Sequence, residues 1–179
     1  MASTGEVGCL DNSFDEALLL AMEATHIRFP KKGVLISAGP EKDKLKFLEA
    51  AKILTELDIP MYATQGTADY LGSHGYKTTS LASPNEGDDC VLSAIRIGKV
   101  DLVLNIPKNQ QDKELSRGSV IRQAASQFGC SLFTNMEKIM AFVKAFECHK
   151  EFEKCHQPNP MPSFINQEQV LNVTAELEH

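Results

Sequence analysis

Short apolar runs rich in β-branched residues alternate with helical stretches along most of this 179-residue chain. Glycine, asparagine, proline or aspartate separates one segment from the next. Such alternation is typical of a parallel sheet whose strands are joined by crossover helices, so the sequence predicts an α/β fold with five parallel strands. The predicted strands are 33–38, 61–64, 77–82, 101–106 and 131–134, and the predicted helices that follow them are 43–57, 67–73, 89–97, 119–128 and 136–146.

Two of the helical segments carry further local signals. Ser13 and Glu16 have the spacing of a capping box, which predicts an extra helix over 14–24, before the first strand. In the segment after that strand, apolar residues recur every three positions and predict one buried stripe. These residues are Leu45, Leu48, Ala51 and Leu54.

The charge balance and the lengths of the apolar runs restrict the kinds of partner that this chain is expected to bind. Eighteen Lys and Arg against twenty-four Asp and Glu give a net charge of −6, so no general basic surface attracts nucleic acid or anionic lipid. The longest apolar run, 17–22, is far shorter than the roughly 20 residues that cross a bilayer, and no secretory leader opens the chain. We therefore expect a soluble, cytoplasmic protein with neither a nucleic-acid nor a membrane partner.

The five cysteines are odd in number and scattered, as reduced thiols are in an intracellular protein. Only Cys148-His149 and Cys155-His156 invite a metal interpretation. On a continuous helix, seven residues separate the two cysteine Cα atoms by about 10.5 Å, too far for both thiolates to reach one zinc ion easily. We predict no metal site here.

The loops that follow the strands are where binding or chemistry is expected, because parallel sheets bind ligands beyond the carboxyl ends of their strands. Thr64-Gln65-Gly66-Thr67 is the most informative of these loops. Gly66 permits close approach of the backbone, while two hydroxyls and the amides of a helix start can converge on one phosphate or carboxylate. Alternatively, Thr67 only caps its helix and Thr64 only ends a strand.

Three further side chains each allow two interpretations. Lys44, or Lys42, could supply a counter-charge to an anion or could simply be solvated. Asn105, near the end of an apolar strand, needs partners for both sides of its amide, and either a ligand or a neighbouring loop could provide them. Arg122 could point into the site or pair on the surface.

Asp88 and Asp89 are adjacent acids in a loop after the third strand. One of them could act as a general base towards a bound carbonyl compound, but acids in the first turn of a helix also stabilise it through the dipole, and we favour that role. The sequence contains no Walker loop, dinucleotide fingerprint or zinc-protease motif. No nucleophile and base are recognisable from their spacing.

Taken together, the strands and loops resemble the methylglyoxal-synthase-like domain family, and more closely the carboxy-terminal regulatory domain of the carbamoyl-phosphate synthetase large chain. Five segments occur in that family's order and approximate spacing, and the five together carry the resemblance. They are Gly33-Val34-Leu35-Ile36-Ser37, Ala63-Thr64-Gln65-Gly66-Thr67-Ala68, Glu86-Gly87, Asp101-Leu102-Val103-Leu104-Asn105 and Val120-Ile121-Arg122. The opening Ser3-Thr4-Gly5-Glu6-Val7 resembles the segment just upstream of that domain.

The resemblance implies a three-layer αβα fold with a doubly wound sheet. It divides the chain into a helical segment from the preceding synthetase domain at 1–28, the regulatory domain at 29–148 and a polar tail at 149–179. In that family the domain binds allosteric effectors and contributes to contacts in a homo-oligomer. Carbamoyl phosphate is made from bicarbonate, ammonia and ATP, with a divalent metal, elsewhere in the parent chain. The resemblance thus implies a domain without a cofactor of its own, whose partners are a small anionic effector and the remainder of the synthase.

By the same resemblance, Thr64, Gly66 and Thr67 contact the effector anion, Asn105 is a polar ligand and Lys44 faces the phosphate. Ser83 is a further residue expected to contact the effector. Near this position, nucleotide-regulated relatives tend to have a lysine and N-acetylglutamate-activated ones a tryptophan. This chain contains no tryptophan, which disfavours N-acetylglutamate. A nucleoside monophosphate such as UMP or IMP is the favoured effector, and Lys108 could replace the missing lysine.

Two other functions compete with regulation. Methylglyoxal synthase, which removes phosphate from dihydroxyacetone phosphate, uses an aspartate after the third strand and a histidine after the fourth. Asp88 or Asp89 could stand for the aspartate, but residues 107–120 contain no histidine. The other alternative is a purely structural oligomerisation module with an empty crevice.

Overall fold

The computed structural model describes residues 7–39, 41–84, 86–87, 89–107 and 112–155, with side chains except at 41–43, 112–116 and 151–155. The strands within these ranges are β1 (Val34–Ala38), β2 (Met61–Thr64), β3 (Thr79–Leu81), β4 (Leu102–Ile106) and β5 (Ser131–Phe133). The helices are α1 (Phe14–Ala24), α2 (Glu41–Glu56), α3 (Gln65–Ser73), α4 (Val91–Arg96), α5 (Asp112–Gln127) and α6 (Met136–Cys155).

The strands form one parallel sheet in the order β3-β2-β1-β4-β5. The chain moves outward from β1 to β3 and then crosses to β4 on the other side of β1. The strand order therefore reverses between β1 and β4, which run in register with Ser37 opposite Asn105. In doubly wound sheets a crevice opens beyond the carboxyl ends of the two strands at this point.

Apolar side chains cover both faces of the sheet, as a central parallel sheet requires. On one face, Ile36 and its neighbours pack against α1, α2, α3 and α6. On the other face, Leu35 and Val103 pack against α4 and α5. Burying each such side chain contributes about 1.5–3 kcal/mol. The three-layer, doubly wound αβα fold with five parallel strands is thus confirmed.

The buried stripe of α2 differs from the one expected. Phe47, Ala50, Ala51 and Leu54 are fully buried, whereas Leu45 is 60% exposed and Leu48 is only partly buried. A step of three residues falls about 60° short of a full turn, so nine residues bring Leu45 and Leu54 to opposite sides of the helix. Spacings that alternate between three and four residues keep side chains on one face of a helix. The buried residues of α2 follow that pattern.

Two helices are longer than the sequence predicted by seven residues or more. α5 begins at Asp112 instead of 119, and α6 continues to Cys155 instead of ending at 146, past the predicted start of the tail at 149. Both extensions are polar, so they lack the apolar repeat on which the predicted bounds rested. In the described ranges, no helix is long and apolar enough to cross a membrane.

The predicted helix α1 and its Ser13 N-cap are confirmed, and Glu16 reaches back to the hydroxyl of Ser13 instead of to its backbone amide. Ser13 Oγ accepts a hydrogen bond from the Glu16 amide at 3.2 Å and donates to the Glu16 carboxylate at 3.0 Å. Leu19 on this helix is buried in the core cluster that α6 also lines. The helix therefore packs onto the same layer as α2 and α6.

Candidate anion-binding site

A pocket of about 320 Å³ lies at the carboxyl edge of the sheet, where the strand order reverses. Its volume is at the small end of the range for ligand sites. The ends of β1, β2 and β4, the start of α3 and the middle of α5 contribute most of its wall. The lining residues are Ser37, Ala38, Gly39, Lys44, Thr64, Gln65, Gly66, Thr67, Ser83, Pro84, Asn105, Ile106, Pro107, Arg117, Gly118 and Ile121.

Thr67 joins the start of α3 to the end of β1. Its side chain is buried, and Oγ1 accepts a hydrogen bond from the Ala38 amide at 3.2 Å. Thr64 Oγ1 donates to the same oxygen at 3.4 Å. Thr67 is therefore a structural anchor of the pocket as well as one of its walls. It does not cap α3, because the helix begins at Gln65 and its N-cap residue is Thr64.

The first turn of α3 presents free backbone donors to the pocket. Thr64 is the N-cap residue but makes no side-chain cap hydrogen bond, so the amides of Gly66 and Thr67 have no partner inside the helix. A Cβ at Gly66 would have no other atom within 4 Å, which leaves open space beside this backbone. Amides of a helix start, together with the positive end of its dipole, are suited to an anion.

Lys44, in the first turn of α2, reaches across to this helix start. Its Nζ donates to the Gly66 carbonyl at 3.3 Å and lies 5.5 Å from the centre of the Tyr70 ring. The ammonium is thereby held beside the first turn of α3. The predicted counter-charge is thus adjacent to the predicted cradle.

Asn105 and Arg122 are paired with each other. Asn105 is only 2% exposed, and its Oδ1 accepts a hydrogen bond from Arg122 Nη1 at 2.7 Å. Gly118, one turn before Arg122 on α5, lies against this pair. The partner of the Asn105 oxygen is therefore neither a ligand nor a loop but a helix residue seventeen positions later.

The charge of the described lining is positive. Lys44 and Arg117 both line the pocket, and no Asp or Glu does so among the described residues. Glu86 approaches Arg117 from outside at 4.0 Å, with both side chains more than half exposed, so this pair contributes little stability. The pocket is thus locally cationic in a protein whose net charge is −6.

Most of the predicted site residues converge on this pocket. Lys44, Thr64, Gly66, Thr67, Ser83 and Asn105 all line it. Lys108 and Asp88 lie outside the described residues, and Asp89 is exposed and does not line the pocket. In the described part of the chain, no cluster of His, Cys, Asp or Glu is arranged to hold a metal ion.

Sequence reasoning missed the contribution of α5. Arg117, Gly118 and Ile121 line the pocket, but the predicted helix began only at 119, which placed Arg117 and Gly118 in a loop. The available signal was their spacing, because residues 117, 118 and 121 share one face of a helix.

One thiol with a shifted pKa lies far from the pocket. Burial raises the pKa of Cys130, and nearby Asp101 raises it further, while Lys32 acts in the opposite direction. Cys130 precedes β5, at the amino edge of the sheet. Its thiol stays protonated at neutral pH and takes no part in the site.

Comparison with known proteins shows the family to which part of the chain belongs. Residues 46–134 match the family model of the MGS-like domain. This part of the chain belongs to the MGS-like domain family. The MGS-like domain thus contains β2, β3 and β4 and the start of α3, which carry most of the predicted site residues.

The relatives of the MGS-like domain are much longer proteins. "Multifunctional protein pyr1-3" of Dictyostelium discoideum is 33% identical over 156 residues, covering 84% of this chain and 7% of its own length. "Carbamoyl phosphate synthase large chain, C-terminal section" of Aquifex aeolicus is 34% identical over 154 residues, covering 86% and 28%. "Carbamoyl-phosphate synthase (ammonia), mitochondrial" of Rattus norvegicus is 36% identical over 152 residues, covering 82% and 10%. The predicted resemblance to carbamoyl-phosphate synthases is confirmed.

Proposed function

We propose that the MGS-like domain binds a small anionic effector, a nucleoside monophosphate such as UMP or IMP, and thereby regulates a carbamoyl-phosphate synthase. The observation that carries this proposal is the convergence of unpaired α3 amides, Lys44 and Asn105 on one pocket whose described lining has no acid. These groups offer hydrogen-bond donors and positive charge, which is what a phosphate group requires.

In this proposal, the phosphate lies at the start of α3. The Gly66 and Thr67 amides donate to its oxygens, and Lys44 balances part of its charge. The Thr64 hydroxyl has one hydrogen, so it donates to the phosphate by giving up its 3.4 Å hydrogen bond to Thr67 Oγ1. Ser83 lies on the β3 side of the pocket, where the remainder of the nucleotide would extend. Lys108 is proposed as a second cation, and Arg117 offers the same charge from α5.

The proposed partner is the remainder of a synthase chain. The chain spans between about 7% and 28% of the relatives described above, so the synthesis of carbamoyl phosphate, with its ATP and divalent metal, is assigned by proposal to segments outside it. Effector binding would then act at a distance, by favouring one arrangement of the whole enzyme over another. Contacts in a homo-oligomer and a cytoplasmic location belong to the same proposal.

A thermal-shift panel tests the binding function. The panel contains UMP, IMP, UTP, phosphoribosyl pyrophosphate and N-acetylglutamate, with uridine as the uncharged match to UMP. A ligand present at roughly 100 times its Kd stabilises the folded state by about 2.7 kcal/mol. UMP or IMP is expected to raise the Tm and uridine to leave it unchanged. If no member of the panel raises the Tm, the proposal is wrong and the structural module is favoured.

Methylglyoxal synthase activity is the other outcome to test. Among its described residues, the pocket lining has neither a carboxylate nor an imidazole that could act as a general base, so its geometry favours binding over catalysis. The assay incubates the chain with dihydroxyacetone phosphate and measures methylglyoxal. Turnover that disappears when Asp88→Asn and Asp89→Asn are combined would replace regulation with catalysis.

A further inference from the structure

The orientation of the Asn105 side chain is determined by its neighbour. Arg122 Nη1 donates to Asn105 Oδ1 at 2.7 Å, in a part-buried contact. A guanidinium has donors only, so a flipped amide would place two donors against each other. Charge-assisted hydrogen bonds of this kind are roughly twice as strong as neutral ones. The amide is therefore held with Oδ1 towards α5.

The other half of the amide faces the pocket. No described residue accepts a hydrogen bond from Asn105 Nδ2. Nevertheless, the described residues contain no side-chain nitrogen or oxygen that is both fully buried and unpartnered. Because Asn105 is 2% exposed and lines the pocket, Nδ2 has its open side there.

Gly118 leaves the space for this arrangement. A Cβ at this position would lie 3.0 Å from Arg122 Nη1 and 3.5 Å from Asn105 Oδ1. Gly118 and Arg122 are four residues apart on one face of α5, so a side chain at 118 would press on the guanidinium. Gly118 therefore lets the guanidinium occupy this position without shifting by a few tenths of an ångström.

We propose that Arg122 is a positioning residue, which acts through Asn105 to give the pocket a fixed hydrogen-bond donor that selects ligands with oxyanion or carbonyl acceptors. This inference rests on the proposed function, and it concerns a residue that does not itself line the pocket. With Nδ2 fixed, the groups of Asn105, α3 and Lys44 that face the ligand are donors. A ligand that offers an amino group at the Asn105 position is rejected, because two donors cannot pair.

A double-mutant cycle on UMP affinity tests the coupling. Isothermal titration calorimetry measures the Kd for UMP in the wild type, Arg122→Gln, Asn105→Ala and the double variant. Each single variant is expected to weaken binding about ten-fold, which is the loss of one hydrogen bond to a charged group. If Arg122 acts only through Asn105, the double variant binds UMP no more weakly than Asn105→Ala does.

Arg96→Gln is the matched control, because Arg96 is an exposed arginine of α4 that does not line the pocket. It removes the same charge and is expected to leave the Kd unchanged. The inference is overturned if Arg122→Gln binds UMP as tightly as the wild type, or weakens binding equally in the Asn105→Ala background.

A second measurement needs no variant. In the wild-type chain, the two Nδ2 protons of Asn105 are expected to give separate NMR signals that shift when UMP is added. Binding of UMP without any change in these signals overturns the inference and leaves the proposed function standing. If neither UMP, IMP nor inorganic phosphate binds to the wild type, the proposed function fails and the inference falls with it.

Discussion

Replacing Thr67 by valine removes one hydroxyl from the junction between the sheet and the pocket while nearly preserving the side-chain shape. The pairing of β1 with β2 ends at Ile36 opposite Ala63, and the Ala38 amide lies beyond it. That amide donates to Thr67 Oγ1 at 3.2 Å, whereas the next amide, of Gly39, donates to Ile106 on β4. Valine would therefore leave the Ala38 amide without an acceptor.

The expected loss of stability in Thr67→Val follows from the burial of the Thr67 side chain. Thr67 is 2% exposed, so water does not readily take the place of its hydroxyl. An unsatisfied buried donor costs about 1–3 kcal/mol, and we expect the free energy of unfolding of Thr67→Val to fall by that amount. For a chain of this size, about 1 kcal/mol corresponds to about 2–4 °C, so the Tm should fall by about 2–12 °C.

Urea unfolding measures this loss, with Thr55→Val as the matched control. The Thr55 hydroxyl donates a hydrogen bond to the Ala51 carbonyl of its own helix at 2.7 Å. Removing this hydroxyl therefore leaves no backbone amide without an acceptor. We expect a lower urea midpoint with an unchanged m-value for Thr67→Val, and a change within about 0.5 kcal/mol for Thr55→Val. Equal midpoints for the two variants would refute the argument that the Ala38 amide depends on Thr67.

Three further predictions concern charge. Asn105→Asp replaces the Nδ2 donor by a carboxylate oxygen beside the ligand, and should weaken UMP binding at least about ten-fold by calorimetry; unchanged affinity would contradict the assigned orientation. Lys44→Gln should weaken UMP binding and flatten its dependence on salt, whereas Lys46→Gln, at an exposed position of the same helix, should change neither. Burial raises the pKa of Cys130, so at pH 9 its alkylation should be slower in the native chain than in urea, and equal rates would contradict the raised pKa.

The fold could be predicted because its signals are local. Buried strands such as Val34–Ala38 and Leu102–Ile106 are apolar runs with a single polar residue each, and the segments that end them contain glycine or proline. The ends of helices were less predictable. Thr64 caps α3 through its backbone conformation and without a side-chain hydrogen bond, so the helix begins at Gln65, two residues earlier than predicted. α5 begins with polar residues that carry no apolar repeat.

For the site, the sequence predicted only where each residue lies relative to the end of a strand. Thr64 and Asn105 lie at the carboxyl ends of β2 and β4, and Thr67 follows β2 closely. These strand ends meet at one edge of the sheet, which is enough to bring the three residues together. The partner of Asn105 was not predictable, because Arg122 lies seventeen residues away on a helix whose rotation about its axis is set by packing. Arg117 was not predicted either. It lines the pocket from α5, which starts earlier than its apolar residues indicate.

The central claim is that the start of α3 holds a phosphate, and a crystal structure of the chain with UMP tests it most directly. We predict the phosphate within hydrogen-bond distance of the Gly66 and Thr67 amides and of Lys44 Nζ, with the Asn105 Nδ2 group directed at an acceptor on the nucleotide. Density for UMP on another surface, with this pocket empty, would contradict the account.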